Sequence, residues 1–289
     1  MLNLKNKYIF ISLFCAISIS NSFGAVNDII PGDYQAPLAN STIMSLNYLT
    51  KELNTNSLPN NQYIKQNSYA LRYTYGFDID GKILALGVAI PYSDLKTHGD
   101  TLSSLIGEKS TGFNDMIFSS TYWFINDRKN KNFLALTMTY TTPSGKYNES
   151  QVLNTGDNKY KTTFNLGYIT KISENFLIEI SPEIAFYGDN ETSNSTTEQK
   201  TSYAINSNLR YKPNNKYEIF AGFQENYQSE TIKNGIEQNN DCFYQKYSFG
   251  GAYYTDKFDQ IILRFAKEVN KKYGFETDKE ILLRYRWSF

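Results

Sequence analysis

The chain has 289 residues with 29 basic and 29 acidic side chains, so its formal net charge is zero and nothing in it favours a nucleic-acid partner. Hydrophobic residues make up only 40% and mean hydropathy is −0.49, which excludes a bundle of membrane-spanning helices. A membrane barrel stays open, because its strands show lipid an apolar side chain only at every second position, and 24 Tyr with 19 Phe suit membrane interfaces; a Tyr-rich soluble sandwich would share this composition.

In chain order, the first element is an export signal. Lys5 and Lys7 form a basic n-region, Tyr8 to Ile19 an apolar h-region, and Ser22-Phe23-Gly24 place small residues at −3 and −1. Residues 1–24 therefore read as a signal peptide cut before Ala25, with Cys15 an ordinary h-region residue. The remaining chain then holds one cysteine, Cys242, and no internal disulfide. Residues 25–40 carry Pro31, Gly32 and Pro37 with little periodicity; they are either a periplasmic N-terminal segment or a short plug.

From residue 41 onward, period-2 alternation dominates. Tyr69, Leu71, Tyr73, Tyr75 and Phe77 share one face, against Ala70, Arg72, Thr74, Gly76 and Asp78 on the other. The same pattern predicts strands at 41–51, 67–78, 81–92, 113–125, 132–142, 161–172, 175–187, 201–212, 216–228, 244–254, 257–268 and 278–289. Most exceed the five or six residues usual in soluble sheets, and a tilted strand needs about 9–11 residues to cross a bilayer. Short connections such as Asp78 to Gly81 alternate with long polar ones at 52–66, 93–112, 143–160, 188–200, 229–243 and 269–277. Short periplasmic turns alternating with long outer loops are the layout of an outer-membrane barrel.

The fold class predicted is therefore all-β: a transmembrane antiparallel barrel of about 12 strands, an up-and-down meander over 41–289 with both termini periplasmic, in the bacterial outer membrane. An open sheet edge cannot face hydrocarbon, so the first strand must pair with the last. Tyr75, Phe77, Trp123, Phe124, Tyr168, Tyr211, Tyr217, Trp287 and Phe289 belong to a periplasmic aromatic girdle on this reading. Trp287 and Phe289, closing an alternating strand, have the form of the signal by which barrels are recognised for assembly. The partners implied are outer-membrane lipids, the barrel assembly machinery and small-molecule solutes, with the protein a monomer.

If the apolar face meets lipid, the opposite face lines the lumen. Arg72, Asp78, Glu179, Glu183, Arg210, Glu218, Arg264, Arg284 and Arg286 then point inward, with neither sign dominant. They line either a constricted passage or a packed, salt-bridged interior, since twelve strands lie between filled eight-stranded barrels and open sixteen-stranded ones. Asp115, beside Asn114, either orients a solute or ties down the 93–112 connection. Pro182 inside a strand marks either a bulge near the outer rim or a lateral gap toward lipid. No catalytic group, metal site or cofactor is expected: the one histidine, His98, sits between Thr97 and Gly99 in a polar loop.

Four stretches carry a family resemblance. They are Pro31-Gly32-Asp33-Tyr34 running through Leu38 to Tyr48; Gly112-Phe113-Asn114-Asp115 followed by Trp123; Pro143-Ser144-Gly145-Lys146-Tyr147-Asn148 with Asn154-Thr155-Gly156-Asp157-Asn158; and Gly167-Tyr168. Together they resemble the outer-membrane transporter family of the phenol-degradation meta-pathway. That resemblance implies passage of hydrophobic or aromatic compounds through a barrel. The alternative is a surface-interaction or structural barrel acting through its long extracellular loops.

Overall fold

The computed structural model describes residues 29–55, 58, 62–255, 259–271 and 274–289; the expected signal peptide and residues 25–28 lie outside them. Twelve strands close an antiparallel barrel. They are β1 (Ser41–Asn54), β2 (Tyr63–Ile79), β3 (Lys82–His98), β5 (Ile117–Asp127), β6 (Asn132–Thr141), β7 (Lys161–Lys171), β8 (Phe176–Tyr187), β11 (Ser202–Tyr211), β12 (Tyr217–Gln228), β15 (Cys242–Tyr254), β16 (Gln260–Val269) and β17 (Glu276–Ser288). A short β4 (Lys109–Phe113) prolongs the β5 edge beside β3, and a helix α1 (Asp100–Ile106) leads into it. Each neighbour in the barrel is the next strand in the chain, and β1 shuts the ring against β17, with Leu46 opposite both Leu71 and Tyr285. Among the described residues, every strand of the barrel is thus paired on both sides, as hydrocarbon demands.

Period 2 decides which way each side chain points. Outward positions carry Leu46, Leu71, Leu86, Leu136, Ile205, Leu263 and Leu283, all exposed on the isolated chain and thus available to lipid. Inward positions carry Asn47, Gln66, Asn165, Glu179, Asn208, Arg210, Glu280 and Arg284, all buried. An apolar exterior around a polar interior is the reverse of a soluble sandwich and is what a hydrocarbon solvent selects. Aromatic pairs, stacked, tilted or edge-on, mark both rims of this belt. Tyr75–Phe77, Phe176–Tyr211 and Tyr285–Trp287 lie toward the short turns, with centroids 4.6, 4.8 and 5.3 Å apart. Tyr48–Tyr69, Tyr92–Phe113 and Tyr140–Tyr160, at 5.2 to 5.6 Å, lie toward the long connections. A charge in mid-belt tests the assignment: Leu71→Arg is expected to lower stability by about 2–4 kcal/mol in lipid, read by urea titration in liposomes, with Ala70→Ser on the opposite face costing far less.

Local chemistry fixes the turns. Asp80 and Gly81 both have positive φ, 49° and 77°, and form the two-residue hairpin loop that an Asp-Gly pair favours. Asp78 sits at this exposed turn, where its carboxylate accepts the Gly81 N–H at 2.8 Å.

Several elements differ from expectation. The strand expected at 113–125 is broken by Asn114 to Met116. A register shift between Trp123 and Ile125 inserts Phe124 as an extra residue, so that Phe124 and Ile125 both face outward, while Trp123 keeps the inward parity of Ile117 and faces the lumen. Trp123 is therefore not part of the periplasmic girdle. The connections 188–200 and 229–243 pair with each other: β9 (Asn190–Glu191), β10 (Thr196–Gln199), β13 (Thr231–Lys233) and β14 (Ile236–Glu237) form a small outer sheet. Near the outer mouth, Leu53, Ile64, Leu95, Leu102, Ile106, Leu153 and Phe275 gather strand ends, α1 and loops into one apolar cluster.

Candidate functional site

The site is the lumen together with residues 29–37, which lie inside it, and residues 38–40, which are exposed. This segment turns tightly, with Asp33 N–H on Ile30 O and Gln35 N–H on Gly32 O, both at 3.1 Å. Gly32 is required at its apex on two counts. Its φ is +90°, and an added Cβ would stand 3.2 Å from the Arg210 guanidinium.

Three anchors hold the segment to the wall. The first is a buried ion cluster. Arg210 presents a fork to Glu218, Nε and Nη2 each donating at 2.8 Å, while Nη1 donates to Glu179. Glu179 in turn accepts the Gly32 N–H at 2.9 Å, and the Tyr254 hydroxyl donates to Glu218 at 2.9 Å. The second anchor is Asp33, which accepts from Arg284 Nη1 at 2.5 Å and lies 3.9 Å from Arg72. The third is Tyr34. Its hydroxyl donates to Asn165 and accepts from Ser181 Oγ at 3.2 Å, and its carbonyl accepts the Trp123 indole N–H at 2.8 Å. Its ring lies flat on Gly167, where an added Cβ would come within 2.1 Å. Farther along, Arg128 donates to the Ala36 carbonyl at 2.7 Å and to that of Pro37.

A second charged group sits nearer the outer end. Glu280 accepts from Arg264 Nη2 at 2.6 Å and Lys246 Nζ at 2.9 Å, with Lys51 Nζ at 3.3 Å. Glu183 also points inward, buried across the β7–β8 ladder from Asn165. At the short-turn mouth, Arg286 lines a cavity described below.

The wall itself has one irregularity. Pro182 keeps register with Ile205 of β11, so it is not a bulge. On its other side the β7–β8 ladder runs from Asn165–Glu183 to Tyr168–Ile180 without the two intervening pairs. Proline has no N–H to give there. The interruption falls at Leu166-Gly167, the place where the Tyr34 ring rests.

Asp115 serves outside this group. It occupies the break between β4 and β5, where Oδ1 accepts the Gly145 N–H and Oδ2 the Asp157 N–H, both at 2.8 Å. The loop it ties is thus 143–160 rather than 93–112. Burial, and after it the neighbouring Asp157 carboxylate, push the Asp115 acid up to about 6, against the pull of those two N–H donors. A folded value above the unfolded one means this group's contribution is fully present below about pH 4 and is lost as pH rises through about 6. Amide exchange at Gly145 and Asp157 is therefore expected to quicken between pH 5 and 7 beyond the intrinsic rate. Asp115→Ala should abolish that pH dependence and cost about 1–3 kcal/mol for each orphaned N–H.

Of the residues singled out in sequence, Glu179, Arg210 and Glu218 form one cluster, Arg72 and Arg284 meet at Asp33, and Arg264 joins Glu280. Asp78 and Asp115 stand apart from the lumen groups. Sequence reasoning missed Asp33 and Tyr34, which no periodicity flags, and Lys51, Lys246 and Glu280, which share the inward parity of their strands. His98 ends β3, its ring stacked on Tyr63 at 4.4 Å.

Residues 50–283 match the family described as "Putative MetA-pathway of phenol degradation". Among solved structures, the COG4313 outer membrane channel from Pseudomonas putida F1 superposes with a TM-score of 0.83 at 22% identity, over 91% of this chain and 100% of that one. The beta domain of the Bordetella autotransporter Brka gives 0.53 at 11% identity, over 86% of this chain and 100% of that one. At these identities the likeness is one of fold. No curated protein matches the chain in sequence.

Proposed function

The chain belongs to the family of the MetA-pathway of phenol degradation, and from that membership together with its lumen we infer an outer-membrane channel for passive passage of small hydrophobic or aromatic molecules. The observation that carries this reading is that residues 30–34 are held to inward-facing wall residues by hydrogen bonds and ion pairs. A barrel meant only as a scaffold has no need of a removable filling. Ion pairs and hydrogen bonds hold the segment, and such contacts exchange for water without breaking a covalent bond. When it withdraws, the charged residues Arg72, Glu179, Arg210, Glu218 and Arg284 line the opening. The interrupted ladder at Leu166-Gly167 gives a hydrophobic solute a short route between lumen and lipid. On this reading the protein acts as a monomer, needs no cofactor, and offers Trp287 and Phe289 to the assembly machinery.

The outer sheet of β9, β10, β13 and β14 favours a second reading, a surface-interaction barrel. Solute uptake separates the two. Cells producing the protein should take up a neutral aromatic such as benzyl alcohol at least severalfold faster than cells without it, and a sugar of similar mass at an unchanged rate. Removing the outer sheet should leave that uptake intact. Equal aromatic uptake with and without the protein would overturn the channel reading.

A further inference from the structure

The short-turn mouth of the barrel contains a cavity of about 720 Å³ between residues 35–38 and the wall. Its size falls within the roughly 300–1,000 Å³ of small-molecule sites. Pro37, Leu38, Phe133 and Leu177 supply apolar surface. The charged lining is all of one sign: Arg128, Lys131, Lys212, Lys216 and Arg286, with no carboxylate among the described residues.

This contrasts with the rest of the lumen, where cations meet acids: Arg210 with Glu179 and Glu218, Arg264 with Glu280, Arg284 with Asp33. Among the described residues, none of Arg128, Lys131, Lys212 or Arg286 has a carboxylate within 4 Å. Lys212 instead rests its ammonium over the Tyr254 ring at 3.8 Å. The Arg286 Nε is buried and has no hydrogen-bond partner. Lys131, Lys212 and Arg286 are half-buried and Arg128 and Lys216 exposed, so like charges gathered around one cavity repel each other, and an anion among them relieves that repulsion. Guanidinium and ammonium groups favour a carboxylate, while the apolar surface favours a tail.

We propose that this vestibule binds amphipathic organic carboxylates, alkyl or aryl acids whose tail lies on Phe133 and Leu177 and whose carboxylate meets Arg286 and Lys212. The inference rests on the channel reading and narrows its solute class to acids that dwell at the inner mouth beneath residues 35–38.

Binding of 9-anthroate, a fluorescent aryl carboxylate, and of its neutral counterpart 9-anthracenemethanol to the refolded protein in zwitterionic detergent tests this. The acid should bind at least tenfold more tightly than the alcohol. In Arg286→Gln with Lys212→Gln the acid should fall to the alcohol's affinity, and the alcohol should change less than twofold. If that pair does not fold, Lys131→Gln with Lys212→Gln, both in turns, should still cost the acid severalfold. Octanoate should displace anthroate at concentrations where inorganic phosphate does not. Equal binding of acid and alcohol, unchanged acid affinity in a folded variant, or equally effective displacement by phosphate or by phosphatidylglycerol would overturn the proposal. Acid binding without aromatic uptake would sink the channel reading alone, whereas uptake without acid preference would sink only this one.

Discussion

Arg210→Ala is expected to lower the stability of the barrel by about 3–5 kcal/mol, the largest single-residue loss in the molecule, because it strands two buried carboxylates. Glu179 and Glu218 face the same guanidinium from neighbouring strands, and neither side chain is open to solvent. Without the cation they repel each other in a setting that screens them poorly. Glu179 also holds the Gly32 N–H, so the disturbance reaches residues 29–40. The urea midpoint in liposomes should fall accordingly, and the amides of residues 30–35 should exchange faster. A triple change, Arg210→Met with Glu179→Gln and Glu218→Gln, removes the charges together and should recover most of the stability while leaving Gly32 a weaker partner. Arg210→Ala with an unchanged midpoint would mean the cluster is hydrated and of little structural weight.

Gly167→Val should produce the largest functional change for a modest structural cost. The new side chain would enter the space of the Tyr34 ring, which now lies where a Cβ would be. Strand β7 is fixed by its ladder to β6, so the segment must give way rather than the wall. Overpacking of this kind costs about 1–3 kcal/mol. Losing its seat, Tyr34 also loses Asn165 and Ser181, and Trp123 loses the carbonyl that accepts its indole N–H. Single-channel current should rise severalfold, with a red shift of the Trp123 emission in a Trp287→Phe background. Adding Tyr34→Ala should restore the stability and keep the high current. A current unchanged in Gly167→Val would show that Tyr34 does not govern the passage.

The barrel was legible because hydrocarbon outside and polar groups inside impose a two-residue period that nothing else in the chain competes with. Arg210, Glu179, Glu218 and Arg284 were found by that parity alone, and the Asp80-Gly81 turn by its residue types. Parity fails where the period breaks. One extra residue at Phe124 reverses the facing of Ile125, and in an aromatic run such as Tyr122-Trp123-Phe124 the residue types do not show which rings face inward. At a strand's end parity assigns a face that has no lumen beside it, which is why Asp78 lies at an exposed turn. Asp33 and Tyr34 come from an aperiodic stretch whose conformation is set by the wall it contacts. Asp115 meets Gly145 and Asp157 across loops 30 and 42 residues away, a closure that local pattern does not encode. Lys131 and Lys212 sit in turns, where basic residues are ordinary, and only the closed ring of strands brings them to one cavity.

On the channel reading, residues 29–40 close the passage through the barrel. Planar-bilayer recording of the intact protein beside a variant lacking residues 29–40 tests it most directly. The intact protein should give a small or intermittent current and the variant a steady, ohmic current at least severalfold larger, blocked from the short-turn side by aromatic acids. Equal currents from two proteins that both migrate as folded barrels would contradict it, and would place the barrier in the wall or in the apolar cluster at the outer mouth.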